Sequence, residues 1–151
     1  MATKKSRSRK PSRSKPRLGL RRQPETLRLR KLTPGFTTTD LQRSMAFYRD
    51  VLGFVIGDEW RDTGTLTGCE IHAGAITFML NQDDFAKGRD RTKGVGARLW
   101  CHTAQDLDRL AAEIKARGGV LDQEPHDTPW GQRVFMITDP DGFKFTFVQE
   151  R

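Results

Sequence analysis

Cysteine and histidine are scarce in this chain, which limits the metal sites that it can build. Of its 151 residues, two are cysteines and three are histidines. Cys69 and Cys101 form no CxxC motif, so they can assemble neither a zinc ribbon nor a disulfide framework. We expect two reduced thiols, with Cys101 packed in the core of the fold.

The chain also lacks a long apolar segment. No run approaches the ~20 apolar residues that a membrane-spanning helix needs. The N-terminus has no apolar core of the kind that a secretory signal carries. The composition therefore predicts a soluble, cytoplasmic protein with no membrane partner, and the length suffices for one domain with its own core.

Acidic residues are almost missing from the N-terminal part of the chain. Residues 1–31 hold 13 Lys and Arg against one acid, Glu25, whereas residues 32–151 hold 14 basic and 18 acidic residues, a net charge of −4. The tail has little apolar surface to bury, so its composition predicts disorder. Three roles stay open for it: a plain solubilising extension, a cleavable organelle presequence, or a weak, sequence-blind contact to a polyanion such as nucleic acid.

One phrase occurs twice in the remaining sequence, 66 positions apart. Asp40 opens Asp-Leu-Gln-Arg and precedes Gly53 by 13 residues, and Asp106 opens Asp-Leu-Asp-Arg and precedes Gly119 by 13 residues. Each Asp is a good helix N-cap, and each Gly suits a helix stop. Two copies are too few for a solenoid, so the repeat predicts two similar modules that pair in one domain.

The hydrophobic periodicity around the two phrases predicts the order βαβββ in each module. The expected strands of module one are 32–39, 54–60, 65–72 and 75–82, and those of module two are 97–103, 120–124, 132–138 and 143–149. The polar stretch 83–94 is the expected linker. The domain should therefore span 32–151, with modules at 32–82 and 95–151, behind a tail at 1–31.

Three short motifs in these modules resemble a known superfamily. They are Phe-Tyr at 47–48, Leu-Gly-Phe at 52–54 and the turn Asp-Pro-Asp-Gly at 139–142. Together they resemble the vicinal oxygen chelate superfamily, which includes glyoxalase I, extradiol dioxygenases, fosfomycin-resistance enzymes and bleomycin-resistance proteins. The resemblance implies an α+β fold, in which two paired βαβββ modules form a curled mixed sheet around a pocket. It does not name an activity, because one fold carries many.

Metal-using members of the superfamily bind one divalent ion through four His, Gln or Glu side chains, two from the first strands and two from the last strands of the modules. By the resemblance, these four positions fall on Thr33, Thr77 or Met79, Arg98 and Thr146. None of these groups is a good ligand for such an ion, and a guanidinium repels it. The pattern is therefore closest to the metal-free, bleomycin-resistance-like branch, with no cofactor.

Side-chain alternation along the strands indicates which residues face the pocket. The residues assigned to the pocket are Thr33, Thr77, Met79, Arg98, Trp100, His102, Lys144 and Thr146. Trp60 and Trp130 are placed at its rim. Ile76 and Phe78 are assigned to the core face of their strand. A slipped register would instead bring His102 together with Glu70 or His72 as metal ligands.

These pocket residues predict the binding of a small molecule. Arg98 and Lys144 suit an anionic group, and tryptophan faces suit a flat one. His102 is the candidate for acid–base catalysis, although no second group is placed to orient it. It also stays open that Trp100 and Trp130 only pack and that a carboxylate pairs with Arg98.

The expected function is therefore that of a metal-independent small-molecule-binding protein that sequesters a drug or a metabolite. One alternative is a metal-dependent lyase, isomerase or dioxygenase of the same superfamily. A second alternative is polyanion binding through the basic tail. The resemblance also implies a homodimer, with pockets at or near the interface between two chains.

Overall fold

The computed structural model describes residues 29–150. Most of the basic tail, for which the sequence predicts disorder, therefore lies outside the described residues. The fold belongs to the unit Thr33–Arg151. No helix within the described range is long and apolar enough to cross a membrane.

Two modules with the order βαβββ follow one another along the chain, which confirms the expected fold class. Module one consists of β1 (Gly35–Thr38), α1 (Leu41–Ala46, continued by a π-helical turn at Phe47–Val51), β2 (Val55–Asp62), β3 (Thr65–Ala73) and β4 (Ile76–Gln82). Module two consists of β5 (Arg98–Thr103), α2 (Leu107–Ala116), β6 (Leu121–Asp127), β7 (Arg133–Thr138) and β8 (Lys144–Gln149).

Each module forms its own four-stranded mixed sheet. The strand orders are β1-β4-β3-β2 and β5-β8-β7-β6, so β1 and β5 occupy edges of their sheets. β1 runs parallel to β4 and β5 runs parallel to β8, whereas the other neighbours are antiparallel. β1 is shorter than the expected strand 32–39, because Pro34 has no N–H with which to extend the ladder.

Both helices begin and end where the repeated phrase predicts. The carboxylates of Asp40 and Asp106 accept the backbone N–H groups of Arg43 and Arg109 at 3.0 and 2.9 Å, which satisfies donors that a helix N-terminus leaves unpaired. Gly53 (φ 76°) follows the π-helical turn and reverses the chain. Glycine adopts this left-handed conformation without the steric cost that a side chain would add.

The two modules share one hydrophobic core. We call the face of each sheet that packs on this core its inner face. The ring of Phe36 in β1 stacks on Phe143, with 4.4 Å between the ring centroids, and the rings of Tyr48 and Phe78 contact Phe145 edge-on or tilted. Burying an aromatic side chain of this size contributes roughly 2–3 kcal/mol, so these contacts join the modules tightly.

One sequence prediction about the core needs correction. Ile76 is 63% exposed, because it is the first residue of β4 and lies at the end of the sheet. Cys101 packs against the core and is partly buried, and Cys69 is completely buried. Burial raises the pKa of both thiols to about 11, so neither is a reactive thiolate at neutral pH.

The turn at 139–142 joins the two modules by hydrogen bonds. The buried hydroxyl of Tyr48 in module one donates to Oδ2 of Asp139 at 2.7 Å. Asp141 accepts the backbone N–H of Thr39 at 2.8 Å and the hydroxyl of Ser44 at 2.9 Å. Burial is the main reason why the pKa values of Tyr48 and Asp139 are raised. The motifs at 47–48 and 139–142 are thus two sides of one contact.

The linker at 83–94 is polar, as predicted, but it is held by a buried ion pair. Lys93 Nζ lies 2.9 Å from Oδ2 of Asp83, and both side chains are almost fully buried. Arg91 approaches the same carboxylate at 3.1 Å. The hydrogen bond from Lys93 holds the pKa of Asp83 at about 2. Lys93 also donates to the hydroxyl of Thr39 at 2.9 Å, so the linker is tied to module one.

Candidate functional site

Each sheet has a second face that carries no helix, and we call it the open face. Residues directly opposite each other on neighbouring strands share a face. On module one, the open face carries Gly35, Thr37, Gly68, Glu70, His72, Thr77, Met79 and Asn81. On module two, it carries Arg98, Trp100, His102, Val134, Met136, Thr138, Lys144, Thr146 and Val148.

The open face of module two is built around Arg98. Its guanidinium Nη1 donates to the hydroxyl of Thr146 at 3.0 Å and lies 3.3 Å from the sulfur of Met136. Thr146 is fully buried, so its bond fixes one edge of an otherwise exposed guanidinium. Within residues 29–150, no carboxylate forms an ion pair with Arg98. Because a guanidinium has five N–H donors, most of them stay available to a ligand.

Three further side chains extend this face along β5 and β8. Lys144 lies directly opposite Arg98, so two cationic groups are neighbours. Trp100 follows on the same face and is 50% exposed, which leaves an indole surface uncovered. His102 comes next, and its Nδ1 lies 3.8 Å from the carboxylate of Glu150. The sequence reasoning missed Glu150, because it lies just past the end of β8.

The structure distinguishes Met79 from Thr77 as the counterpart of Thr146. Gln82 and Gln149 occupy equivalent places at the ends of β4 and β8, where their amide oxygens accept the first helical N–H groups at 3.0 and 3.4 Å. Counting three residues back from each glutamine leads to Met79 and Thr146. By the resemblance, the four positions at which metal-using members bind their ion then correspond to Thr33, Met79, Arg98 and Thr146.

This donor set does not fit a divalent metal ion. It contains no imidazole or carboxylate, and one of its members is the fixed cation of Arg98. Throughout the described part of the chain, no three His, Cys, Asp or Glu side chains are close enough to hold a metal. The slipped register is not observed either, because Arg98, Trp100 and His102 lie opposite Lys144, Thr146 and Val148, as the alternation predicts.

The open face of module one has a different chemistry, which the sequence reasoning overlooked. His72 Nδ1 lies 3.1 Å from the hydroxyl oxygen of Thr77, and its Nε2 lies 3.5 Å from a carboxylate oxygen of Glu70. The signal for this face was present in the alternation of residues 69–73, where Glu70 and His72 alternate with small or apolar side chains. Without the cross-strand register, however, His72 reads as an ordinary surface histidine.

The three tryptophans lie in different places. The indole of Trp60 covers Gly68 on module one, where a Cβ at residue 68 would clash with it. Trp100 lies on the open face of module two. Trp130 is 65% exposed in the loop between β6 and β7, and its Nε1 donates to Gln132 at 2.9 Å. The residues assigned to one pocket are thus divided between two faces and a loop.

A match to a family model shows which superfamily this chain belongs to. The model of the Glyoxalase/Bleomycin resistance protein/Dioxygenase superfamily matches residues 32–147. The chain belongs to this superfamily. The match covers both modules, and it agrees with the paired βαβββ plan described above.

Relatives within the glyoxalase/bleomycin-resistance superfamily are distant. The chain is 27% identical to a lactoylglutathione lyase of Haemophilus influenzae over 125 residues, which cover 74% of this chain and 86% of the relative. It is 25% identical over 116 residues to the Arabidopsis thaliana lactoylglutathione lyase GLX1, covering 73% of this chain but 40% of the plant protein. The crystal structure of TioX from Micromonospora sp. ML1 has a TM-score of 0.65 at 20% identity, covering 80% of this chain and 98% of TioX. At that identity, the likeness to TioX concerns the fold alone.

Proposed function

We propose that this protein binds a small, flat organic anion on the open face of module two, without a metal ion, and so sequesters a drug or a metabolite. The observation that carries the proposal is the bond from Arg98 to the buried hydroxyl of Thr146. The bond holds the guanidinium against Thr146, while no carboxylate of residues 29–150 pairs with its remaining donors. This supports a fixed cation where, by the resemblance, metal-using members bind their ion. Arg and carboxylate or phosphate groups form charge-assisted, often bidentate hydrogen bonds.

The neighbours of Arg98 supply a second positive charge and a surface for the flat part of such a ligand. Lys144 adds a second positive charge directly beside it, which strengthens the attraction for an anion. The exposed indole of Trp100 offers a surface for a planar ring. His102 lies further along the strand, where it can donate a hydrogen bond to the ligand. Met79 and Trp60 belong to the other sheet, and Thr33 lies just before its strand β1, so these residues would contact this ligand only across an interface.

A homodimer is the form in which we expect the ligand to bind. The open faces of modules one and two belong to separate sheets, and β1 and β5 are edge strands. Pairing of two copies would cover an open face that one chain leaves exposed, including the half-exposed Trp100. Sedimentation of the full chain at micromolar concentration should show a dimer, and a monomer would contradict this part of the proposal.

The binding proposal is tested with 2-naphthoate and its uncharged analogue 2-naphthamide, monitored by NMR. The indole N–H signals of Trp60, Trp100 and Trp130 report separately on the three locations. We expect 2-naphthoate to shift the Trp100 signal and to bind more tightly than 2-naphthamide. Trp100→Ala and Arg98→Ala should weaken binding without unfolding the domain. Equal affinity of parent and both variants would show that the pocket is assigned wrongly.

The two alternatives predict different results in the same experiments. A metal-dependent lyase, isomerase or dioxygenase would purify with a transition metal and lose stability when a chelator removes it. A polyanion-binding protein would lose its binding when residues 1–31 are deleted, and its affinity would fall steeply with salt. The sequence of the tail motivates this test, although its residues 1–28 lie outside the described range.

A further inference from the structure

The open face of module one holds a hydroxyl, an imidazole and a carboxylate in series. The Thr77 hydroxyl oxygen lies 3.1 Å from His72 Nδ1, which is within hydrogen-bonding reach. The opposite ring nitrogen, Nε2, lies 3.5 Å from Glu70. A nucleophile next to a base, with a third group that orients the base, is the arrangement by which proteins activate weak nucleophiles.

The neighbouring strand provides the space that this arrangement needs. Gly57 in β2 lies beneath the imidazole, where a Cβ would clash with Nε2 of His72 and press on Glu70. The ring of His72 can therefore lie flat across β2 only because residue 57 has no side chain. His72 and Thr77 are also directly opposite each other on β3 and β4, so the sheet itself fixes their separation. The position of the imidazole is thus imposed by two strands.

The charge of Glu70 determines how the protons are arranged. A carboxylate beside Nε2 favours the tautomer that carries its proton on this nitrogen, because the N–H then points towards the negative charge. In this tautomer, Nδ1 carries the lone pair and accepts the hydrogen bond from the Thr77 hydroxyl. In this arrangement, His72 is ready to take the hydroxyl proton, and Glu70 stabilises the imidazolium that results.

We propose that Thr77, His72 and Glu70 form an acyl-transfer site for esters, with Thr77 as the nucleophile. This function goes beyond the binding of an anion by module two, and it uses residues of the other sheet. Thr77 and His72 are the catalytic residues, whereas Glu70 is a positioning residue that acts through His72. Trp60 lies on the same open face, where its indole provides an apolar wall for the acyl or alcohol part of the ester.

The reaction balances with an ester and water as its only reactants. Thr77 Oγ1 forms a bond to the ester carbonyl carbon while its proton passes to His72 Nδ1. The bond from that carbon to the alcohol oxygen breaks, and His72 returns the proton to the leaving alcohol. Water then adds to the acyl carbon and gives a proton to His72. The carboxylic acid departs, and Thr77 regains its hydroxyl; nothing is oxidised or reduced.

The test uses p-nitrophenyl acetate on the full chain, because this ester leaves an acetyl group on the residue that it acylates. Released p-nitrophenolate gives the rate, and mass spectrometry of the tryptic peptide 62–87 locates the acetyl group. This peptide contains no lysine before its last residue, Lys87, so internal labelling reports on hydroxyl, thiol or imidazole groups. We expect the acetyl group on Thr77.

The variants separate activation by His72 from simple exposure of a hydroxyl. Thr77→Val should abolish labelling and Thr77→Ser should retain it, while His72→Gln should slow acylation by about 100-fold, the usual contribution of a general base. Glu70→Gln should lower the maximal rate and leave the half-saturating ester concentration unchanged. Thr138→Val is the matched control, because the Thr138 hydroxyl on module two donates directly to Asp122 at 2.6 Å without an imidazole.

Two results would overturn the proposal. One is a wild-type protein that carries no acetyl group on Thr77. The other is labelling of Thr77 at the same rate in wild type and His72→Gln. Circular dichroism of each variant tests whether the fold is retained, and Arg109→Ala, a change at an exposed residue of α2, should acylate normally. Labelling of Thr77 in a protein that does not bind 2-naphthoate would contradict only the binding proposal, and binding of 2-naphthoate without labelling would contradict only the acyl-transfer proposal.

Discussion

The open faces of the two sheets differ at equivalent positions, although the modules share one plan. At three positions that the strand pairing relates, module one carries Glu70, His72 and Thr77, and module two carries Met136, Thr138 and Lys144. The first set can accept and pass on a proton. The second set surrounds a guanidinium that can only donate hydrogen bonds.

The inner faces of the same strands show no such difference. Phe78 and Leu80 of β4 correspond to Phe145 and Phe147 of β8, and all four side chains are buried in the common core. Inner faces must fill one shared volume at high density, so only similar apolar side chains are acceptable there. On the open face of module two, by contrast, Arg98, Trp100 and Lys144 are exposed and meet no such demand. The divergence of the open faces therefore marks the surfaces on which different chemistry can develop.

The largest effect is expected from adding a methyl group beside His72. Gly57→Ala places a Cβ where the imidazole lies, so His72 must turn away from Thr77. Acylation of Thr77 should fall by about 100-fold, as it would without the base. Gly35→Ala is the matched control on the same face, because its Cβ would meet only Asn81 at 3.5 Å and Met79 at 3.8 Å. Equal acylation rates in Gly57→Ala and Gly35→Ala would show that the proposed acyl-transfer site does not depend on His72.

Ligand binding on module two should show the next largest effect. Arg98→Ala removes the charge that pairs with the anion, and we expect about 30-fold weaker binding of 2-naphthoate, or about 2 kcal/mol. NMR titration measures the affinity. The control is Arg109→Ala, which removes an exposed guanidinium from α2. A similar loss in both variants would mean that net charge, and not the open face, attracts the ligand.

Loss of the hydrogen bond between Tyr48 and Asp139, which joins the modules, should have a moderate effect on stability. Tyr48→Phe removes the hydrogen bond to Asp139 and should lower the free energy of unfolding by about 1–3 kcal/mol, because a buried carboxylate oxygen loses its partner. Urea unfolding gives the value from the shift in midpoint at constant slope. Module one has no equivalent aspartate turn between β3 and β4. An unchanged midpoint would mean that the turn at 139–142 does not join the modules energetically.

The smallest effect is the pH-dependent part of the stability that the ion pair in the linker contributes. The pKa of Asp83 is about 2, below its ordinary 3.8, because Lys93 favours the ionised carboxylate in the folded protein. The resulting stabilisation is complete above pH 3.8 and is lost as the pH falls towards 2. Asp83→Asn should therefore be less stable than wild type at neutral pH, and the difference should shrink in acid. Urea unfolding midpoints of both proteins, measured from neutral pH down to pH 2, test this prediction. A stability difference that stays constant with pH would contradict the ion pair.

Sequence patterns predicted most of the fold because the fold depends on local signals. Asp40 and Asp106 are helix N-caps, whose hydrogen bonds reach only three residues along the chain. The alternation of side chains in β5 and β8 follows directly from the pleat of a strand. The family model and the strand pairing confirm the superfamily and the βαβββ order. The assignment of Arg98, Trp100 and Lys144 to one face also follows from period-two alternation.

The parts that could not be predicted depend on contacts between distant strands. The place of His72 follows from the register with Thr77 and from the missing side chain of Gly57, neither of which periodicity reveals. The ion pair of Asp83 and Lys93 closes a loop that sequence composition describes only as polar. Ile76 fits the alternation of a core position, yet it is exposed because the strand begins there.

The central claim is that the superfamily metal positions of this chain hold a ligand-binding arginine and no metal ion. The most direct test is elemental analysis of the untagged protein after equilibration with nickel, zinc and manganese and removal of unbound ions by gel filtration. The account predicts no metal above the buffer background, and the same result for Arg98→Ala. One ion per chain, or one per two chains, would contradict it and would make a metal-dependent activity the leading explanation.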